Sequence, residues 1–316
     1  MIISDSLGFL GVPGGPVVID PELNLNLVHL TAAPPWADTP EKVYEEIEKF
    51  KVDISKHERL QVLYSGSELD DIISANKTAV VLGLQHVPEG TDPKLLKKLG
   101  IRIVIPSYEG WKNHAGLTNE GRMFITSCEL FNICIDISHT SHEMARDILD
   151  FSKMAEIKIP VIASHTGRYK LHSIKRNLPD DILKQIAEQG GIVGIYAMSF
   201  FLSGKNDKSL SPMTQHLNLA INLCGIDNVC IGSDIPYLCR NEEGWKEDFK
   251  KLQAKLDPDG KMGSSWPDYP KELNCVDKAS VLENMISNIV MSTPEGQRVT
   301  EKVVGKNFYN FVKENL

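Results

Sequence analysis

The stretch Ile133-Cys-Ile-Asp-Ile-Ser-His-Thr-Ser-His142, a helical segment, and then Ile159-Pro-Val-Ile-Ala-Ser-His-Thr166 with Arg176-Asn177 shortly after it decide the fold. Twice, a short β-branched run ends in Ser-His. Residues 133–137 and 160–163 are too apolar for an exposed loop and too short for a helix, so each reads as a strand buried on both faces. His139 and His165 then sit at strand C-termini. In an α/β protein that edge gathers catalytic and metal-binding side chains, because its loops vary while the strands hold position. One histidine at a strand end is commonly a hydrogen-bonded structural residue. Two in the same Ser-His context on successive strands, with Asp136 and Asp234 near matching strand ends, make a metal pair the stronger reading. His142, three residues after His139, either faces the same site or caps the following helix.

Outward from this stretch the same alternation continues. Further strands are expected at 1–4, 25–30, 77–84, 101–105, 192–196 and 228–232, which makes eight. Between them, Thr39-Pro40 followed by acids starts a helix to about residue 57, since threonine caps and proline suits the first turn. Other helices are expected at 67–75, 92–98, 179–191 and 212–223, with Gly100 and Gly190-Gly191 as stops. Eight short apolar strands alternating with helices argue for a parallel sheet, and the count favours a closed (β/α)8 barrel over an open one. The chain reads as a single domain over 1–316, with a loop insertion at about 241–272 and a packing helical tail at about 277–316.

Composition narrows the function classes. The 316 residues are 42% hydrophobic and 24% charged, ordinary for a globular protein, and the net charge of −8 without a basic cluster speaks against nucleic acid. None of the six cysteines forms a Cys-x-x-Cys pair, so buried free thiols are expected. No signal peptide and no apolar run of the ~18 residues needed for a membrane span is visible. A cytoplasmic protein without a membrane partner is the expectation.

In a barrel the strand-end residues face one pocket: Asp5 and Ser6, His29, Gln85 and His86, Tyr108, His139, His165, Tyr196 and Asp234. Imidazoles plus carboxylate are what Zn²⁺ or a similar ion takes when it keeps a position open for water. Such an ion acidifies its water and polarises a carbonyl, which is hydrolytic chemistry. Asp234 would be a ligand or the base that orients the water, against the plainer reading of a turn-former after a strand. Arg176 has the bidentate fork to hold a carboxylate, and equally the means to cap a helix or pair on the surface.

These residues carry a resemblance. Gly116-Leu-Thr-Asn-Glu-Gly121, Ile135-Asp-Ile-Ser-His139, Ala163-Ser-His-Thr166, Arg176-Asn-Leu-Pro-Asp-Asp181, Gly190-Gly-Ile-Val-Gly194, Gly232-Ser-Asp234 and Gly305-Lys-Asn-Phe308 stand in the order and spacing of the renal (membrane) dipeptidase family of metallopeptidases. The match runs from about residue 75 to 316. The resemblance implies a (β/α)8 barrel of the metal-dependent amidohydrolase type that cleaves dipeptides at a two-metal centre, with room for a homodimer. It makes His139 and His165 ligands of one metal, Arg176 the holder of the substrate carboxylate, and Asp234 the acid beside the metal-bound water. Gln85 falls on the glutamate that bridges both ions. Tyr108 falls where the mammalian enzymes have a substrate-contacting histidine.

The departures are as informative. The family opens with Asp-x-His-x-Asp, whose histidine and last aspartate hold the other metal; here Asp5-Ser-Leu-Gly-Phe9 puts Leu7 and Phe9 at those places. Gln85 is a neutral amide, and Pro236 replaces a further aspartate. Three readings follow: a mononuclear dipeptidase-like hydrolase in which Asp234 or Glu89 completes the shell, a non-catalytic barrel that binds a small peptide or amino acid through Arg176, and an enzyme of another class on the same barrel, for example one acting on a lactone or phosphoester. His29, His86 or His142 could fill the vacated space in any of them.

Overall fold

The structure, a computed structural model, describes residues 1–9, 25–106, 116–205, 211–236, 242–256 and 294–316. Its strands are β1 (Ser4–Gly8), β2 (Leu27–Thr31), β3 (Leu60–Val62), β4 (Thr78–Leu84), β5 (Ile101–Val104), β6 (Cys134–Ile135), β7 (Ala163–Thr166), β8 (Val193–Ile195) and β9 (Val229–Ile231). All pairings are parallel, in the orders β1-β2-β4-β5-β6 and β7-β8-β9. Two seams close the ring. At one, Asp136 bridges Ile162, and the Ile162 amide donates to Ile135 O at 3.0 Å; at the other, Phe9 bridges Pro236, and the Asp234 amide donates to Leu7 O at 2.9 Å. The result is an eight-stranded barrel. β3 stands outside the count as a short strand on the early part of β4.

The alternation along β4 explains its uninterrupted apolar sequence. Val80, Leu82 and Leu84 face the helices, where they join Val28, Leu30, Ile148 and Ile182 in the outer core. Ala79 and Val81 face inward with Leu27, Ile103, Cys134, Ile162, Ile192 and Cys230. A strand buried on both faces needs no polar alternate residues. Each large side chain removed from water contributes about 1.5–3 kcal/mol, so both layers stabilise the barrel.

Helices α1 (Pro40–Ser55), α2 (Leu69–Ser74), α3 (Pro93–Leu99), α4 (Asn119–Leu130), α5 (His142–Met154), α6 (Asp180–Glu188), α7 (Ser199–Ser203) and α8 (Ser211–Cys224) connect the strands. Their starts follow the sequence: Thr39 caps α1, Asp92 caps α3, Thr118 caps α4 and Ser141 caps α5, each side chain accepting a first-turn amide. The polar stretch expected as an insertion opens with α9 (Glu242–Leu256). The C-terminal segment, α10 (Pro294–Glu301), a π-helical turn (Lys302–Lys306) and α11 (Asn307–Asn315), closes the barrel floor. Phe308, Phe311 and Val312 enter the inner core, Ser4 Oγ donates to Gly305 O at 2.8 Å, and the Gly66 amide donates to Leu316 O at 2.6 Å. Much of the expected insertion and the start of the expected tail lie outside the described residues.

The eight strands stand near their expected places with two shifts: the first runs over Ser4–Gly8, not 1–4, and β7 over Ala163–Thr166, not 160–163. Polar Asp5 and Ser6 stay inside a strand because buried partners satisfy them. Ser6 Oγ donates to Ser164 O at 2.6 Å across the barrel, an approach that requires Gly232, where a Cβ would collide with Ser164 O.

Candidate functional site

The strand-end loops bring His139, His165, Arg176 and Asp234 together. His139 Nε2 lies 3.0 Å from His165 Nε2, with the rings edge to face. His165 Nε2 is 3.9 Å from Asp234 Oδ1, and Arg176 Nη2 donates to Asp234 Oδ2 at 3.2 Å. Arg176 Nη1 donates to His165 O at 3.4 Å, and its guanidinium lies over the rings of Tyr196 and Phe201. His139 and Asp234 both hold left-handed backbone, at φ 67° and 56°. For residues with a Cβ this conformation is strained and persists where the surroundings impose it, which is characteristic of functional sites.

A buried network fixes the state of His165. Asp136 Oδ1 accepts from the Ser138 amide (2.9 Å), the Ser138 hydroxyl (2.7 Å) and the Ser164 amide (3.0 Å), while Oδ2 accepts from the Ser164 hydroxyl. With its hydrogen committed to Asp136, Ser164 Oγ must accept from His165 Nδ1, 2.6 Å away. His165 therefore carries its proton on Nδ1 and presents a lone pair at Nε2. A histidine ligand is oriented in just this fashion by an acceptor behind it. Across the 3.0 Å contact His139 Nε2 is then the donor to that lone pair.

Electrostatics reinforce the neutral ring forms. Burial, then the Arg176 charge, holds His139 and His165 well below the usual imidazole range. Burial raises Asp234 to about 6, against the opposing pull of Arg176. A neutral imidazole can donate a lone pair to a cation: His165 presents one at Nε2, and His139 does so at Nε2 in its other neutral tautomer.

Two histidine nitrogens on one tetrahedral zinc stand about 3.3 Å apart, close to the separation seen here, and Asp234 is the adjacent carboxylate. The imidazole pair alone matches the spacing of two ligands on one ion, with Asp234 Oδ1 3.9 Å from His165 Nε2. Among the described residues no group of three or more His, Cys, Asp or Glu side chains forms a ready cage. Leu7, buried in β1, and Phe9 offer no donor.

The remaining expected residues fall elsewhere. Gln85, one residue past β4, is buried, and its amide nitrogen has no partner among the described residues. His142 does not enter the site: Nε2 donates to Asn177 O at 2.8 Å and the ring packs on Tyr169, which ties α5 to the Arg176 loop. Glu89 is exposed and so does not complete the shell. His29 is buried, with Nδ1 donating to Ser6 O at 2.7 Å and the ring lying where a Cβ on Gly83 would be. His86 is half-buried. Tyr108 lies outside the described residues. Sequence reading did not single out Ser138, Ser164 or Ser233 as contributors; the repeated Ser-His and Ser-Asp at strand ends were the available signal.

A parallel (β/α)8 barrel with imidazole and carboxylate at its strand C-termini is of the amidohydrolase type. Residues 28–260 match the family model of membrane dipeptidase, peptidase family M19, and the chain belongs to that family. The family is metal-dependent. Among curated relatives, an uncharacterised dipeptidase of Schizosaccharomyces pombe is 26% identical over 201 residues, covering 56% of this chain and 47% of its own length. The dipeptidase aclJ of Aspergillus oryzae is 29% identical over 150 residues, 46% of this chain and 34% of its own. The matches thus span half or less of these relatives. Among solved structures, an amidohydrolase from Pseudomonas aeruginosa superposes with a TM-score of 0.75 at 20% identity, covering 99% of this chain and 96% of its own. A metallopeptidase from Rhodobacter sphaeroides, liganded with a phosphinate mimic of L-Ala-D-Ala, gives 0.71 at 16% identity over 100% and 99%. These likenesses establish the barrel. No described helix is long and apolar enough to cross a membrane.

Proposed function

We propose that the protein is a dipeptidase-like hydrolase that works with one divalent ion, zinc by donor type, held by His139 and His165 with Asp234 beside it. The observation that carries this reading is the pair of imidazole Nε2 atoms 3.0 Å apart, one with its lone pair fixed by the Asp136–Ser164 relay. When bound, the ion supplies an acidified water and a polarised scissile carbonyl. The chain's own residues do the rest. Asp234, raised by burial to about 6, accepts the proton of the attacking water near neutral pH and passes it to the leaving amine. Arg176, its guanidinium over the rings of Tyr196 and Phe201, holds the substrate's carboxylate, and Tyr108 is the proposed second substrate contact. Gln85 contributes at most a weak neutral ligand, and Leu7, Phe9 and Gln85 together put no carboxylate at their own three positions for a second ion.

The substrate is a dipeptide or a related small amide. The four described cysteines are free, in keeping with a reducing, cytoplasmic setting. The single-domain boundaries 1–316 and a homodimer belong to the same proposal. The second reading, a non-catalytic barrel that binds a small peptide or amino acid, draws on the lost donors at Leu7, Phe9 and Gln85.

The deciding measurement is elemental mass spectrometry on protein purified without chelator, wild type beside the His139→Ala, His165→Ala double variant, followed by a dipeptide panel. About one equivalent of zinc lost in the variant, with turnover in the wild type, is expected. Absence of metal after zinc incubation would put the non-catalytic reading in its place.

A further inference from the structure

The network behind His165 has a counterpart at the other seam of the barrel. Asp5, fully buried in β1, accepts at Oδ1 from the amide of Leu7 (3.1 Å) and the amide of Ser233 (2.8 Å), and at Oδ2 from the Ser233 hydroxyl. Asp136 makes the same set of bonds: the amide two residues ahead (Ser138), then the amide and hydroxyl of a serine on the neighbouring strand (Ser164). In each case the residue after the clamped serine is a site residue, His165 in one and Asp234 in the other. The second clamp has more to hold, because Asp234 carries the left-handed φ of 56° and ties its own amide to Leu7 O.

A carboxylate taken out of water costs several kcal/mol unless donors surround it. A strand-end amide could be satisfied by a backbone carbonyl without that cost. What a carboxylate adds is a grip on the amide and the hydroxyl of one residue at once, which fixes the direction in which the chain leaves the strand. We propose that Asp5 is a positioning residue for Asp234, acting through Ser233. On this account the first-strand motif keeps Asp5 while Leu7 and Phe9 have lost any capacity to ligate, because Asp5 serves the Ser233-Asp234 turn across the β1–β9 seam. The inference rests on the reading of Asp234 as the site carboxylate.

The test uses the full chain labelled with ¹³C-carboxyl aspartate and ¹⁵N-histidine, with the Asp234 signal assigned by its loss in Asp234→Asn. Asp5→Asn and Ser233→Ala are expected to shift or split the Asp234 carboxyl signal and leave the His139 and His165 ring signals in place. Ser164→Ala is expected to do the reverse. Ser233→Ala removes a single hydroxyl and keeps the test alive if Asp5→Asn does not fold. In zinc-loaded protein turning over a dipeptide, Ser233→Ala should lower kcat about 10–100-fold with KM and zinc content unchanged. Should the wild type neither bind zinc nor cleave a dipeptide, the proposed function fails, and the carboxyl signal still decides the role of Asp5. An Asp234 signal identical to wild type in Ser233→Ala overturns the inference, as does loosening of both sites by either serine variant.

Discussion

The β6–β7 edge and the β1–β4 edge of the barrel border one mouth and have kept different things. At β6–β7 the donors and their support are both present: His139 and His165 converge, and Asp136, Ser138 and Ser164 fix the inner ring. At β1–β4 only the support remains. Leu7 is buried, His29 is turned onto Ser6 O, and Gln85 leaves its amide nitrogen without a partner among the described residues. Asp5 nevertheless makes all its seam bonds. Ligating atoms and strand-holding atoms are thus separate parts of one motif, and one set can be emptied while the barrel closes as before. Fold does not carry function with it.

The largest expected effect would abolish the contrast. Leu7→His, Phe9→Asp and Gln85→Glu together restore ionisable donors at β1 and β4, and metal content is expected to rise from about one equivalent to about two. The cost is stability, since a buried leucine gives way to a polar ring; about 2–5 kcal/mol is expected in metal-free protein. Unchanged stoichiometry in folded triple variant would mean that backbone placement, and not donor chemistry, separates the two edges.

A second prediction concerns a histidine on the well-kept side that serves the scaffold. Buried His216 accepts the Arg168 amide at Nδ1 (2.9 Å) and donates from Nε2 to Leu202 O (3.0 Å). Burial lowers it to about 4. Above pH 6.5 both folded and unfolded chains leave this ring neutral. Between 6.5 and about 4 only the unfolded chain takes up the proton, so stability falls as pH drops through that window, by at most about 3 kcal/mol from this residue. Urea unfolding at pH 7 and 4.5 should show that loss in the wild type and a smaller one in His216→Gln. Equal slopes would remove His216 from the account.

Smaller again is Ser164→Ala, which releases the tautomer of His165 without touching a donor atom. Zinc affinity is expected to fall about 10–100-fold by competition with a chelator. Gln85→Ala, at the other edge, should leave the affinity within about twofold, since a neutral amide adds little. Similar losses in both variants would erase the distinction between the edges.

How much of this was legible follows from the kind of signal each residue leaves. The barrel was readable because its strands are buried on both faces, so 77–84 and 133–137 appear as plain apolar runs. His139, His165, Arg176 and Asp234 were readable as candidates because strand ends and resemblance both point to them. β3 was not, since Leu60-Gln-Val62 is three residues long with an exposed middle. The extension of β1 through Asp5 and Ser6 was hidden because polar residues look like a loop until their partners on β7 and β9 are known. The left-handed backbone of His139 and Asp234 leaves only a weak local mark, for histidine and aspartate adopt it more often than most residues but far less than glycine. His142 was ambiguous for a different reason: at helix position one, only the tertiary placement of Asn177 O decides where its ring turns.

The smallest effect separates fold from site within a single loop. Ser141 lies two residues past His139 and caps α5, its Oγ accepting the Met144 amide at 3.1 Å. Loss of such a cap costs about 1 kcal/mol. Ser141→Ala should therefore lower the unfolding free energy by about that amount. His139 should be unaffected, because the contact that sets its Nε2 is to His165 across the β6–β7 edge. The expected result is a small drop in denaturation midpoint with unchanged zinc content and affinity. A fall in affinity comparable to that of Ser164→Ala would mean that the first turn of α5 holds the left-handed backbone at His139, and the support of the β6–β7 edge would then extend beyond the Asp136 network.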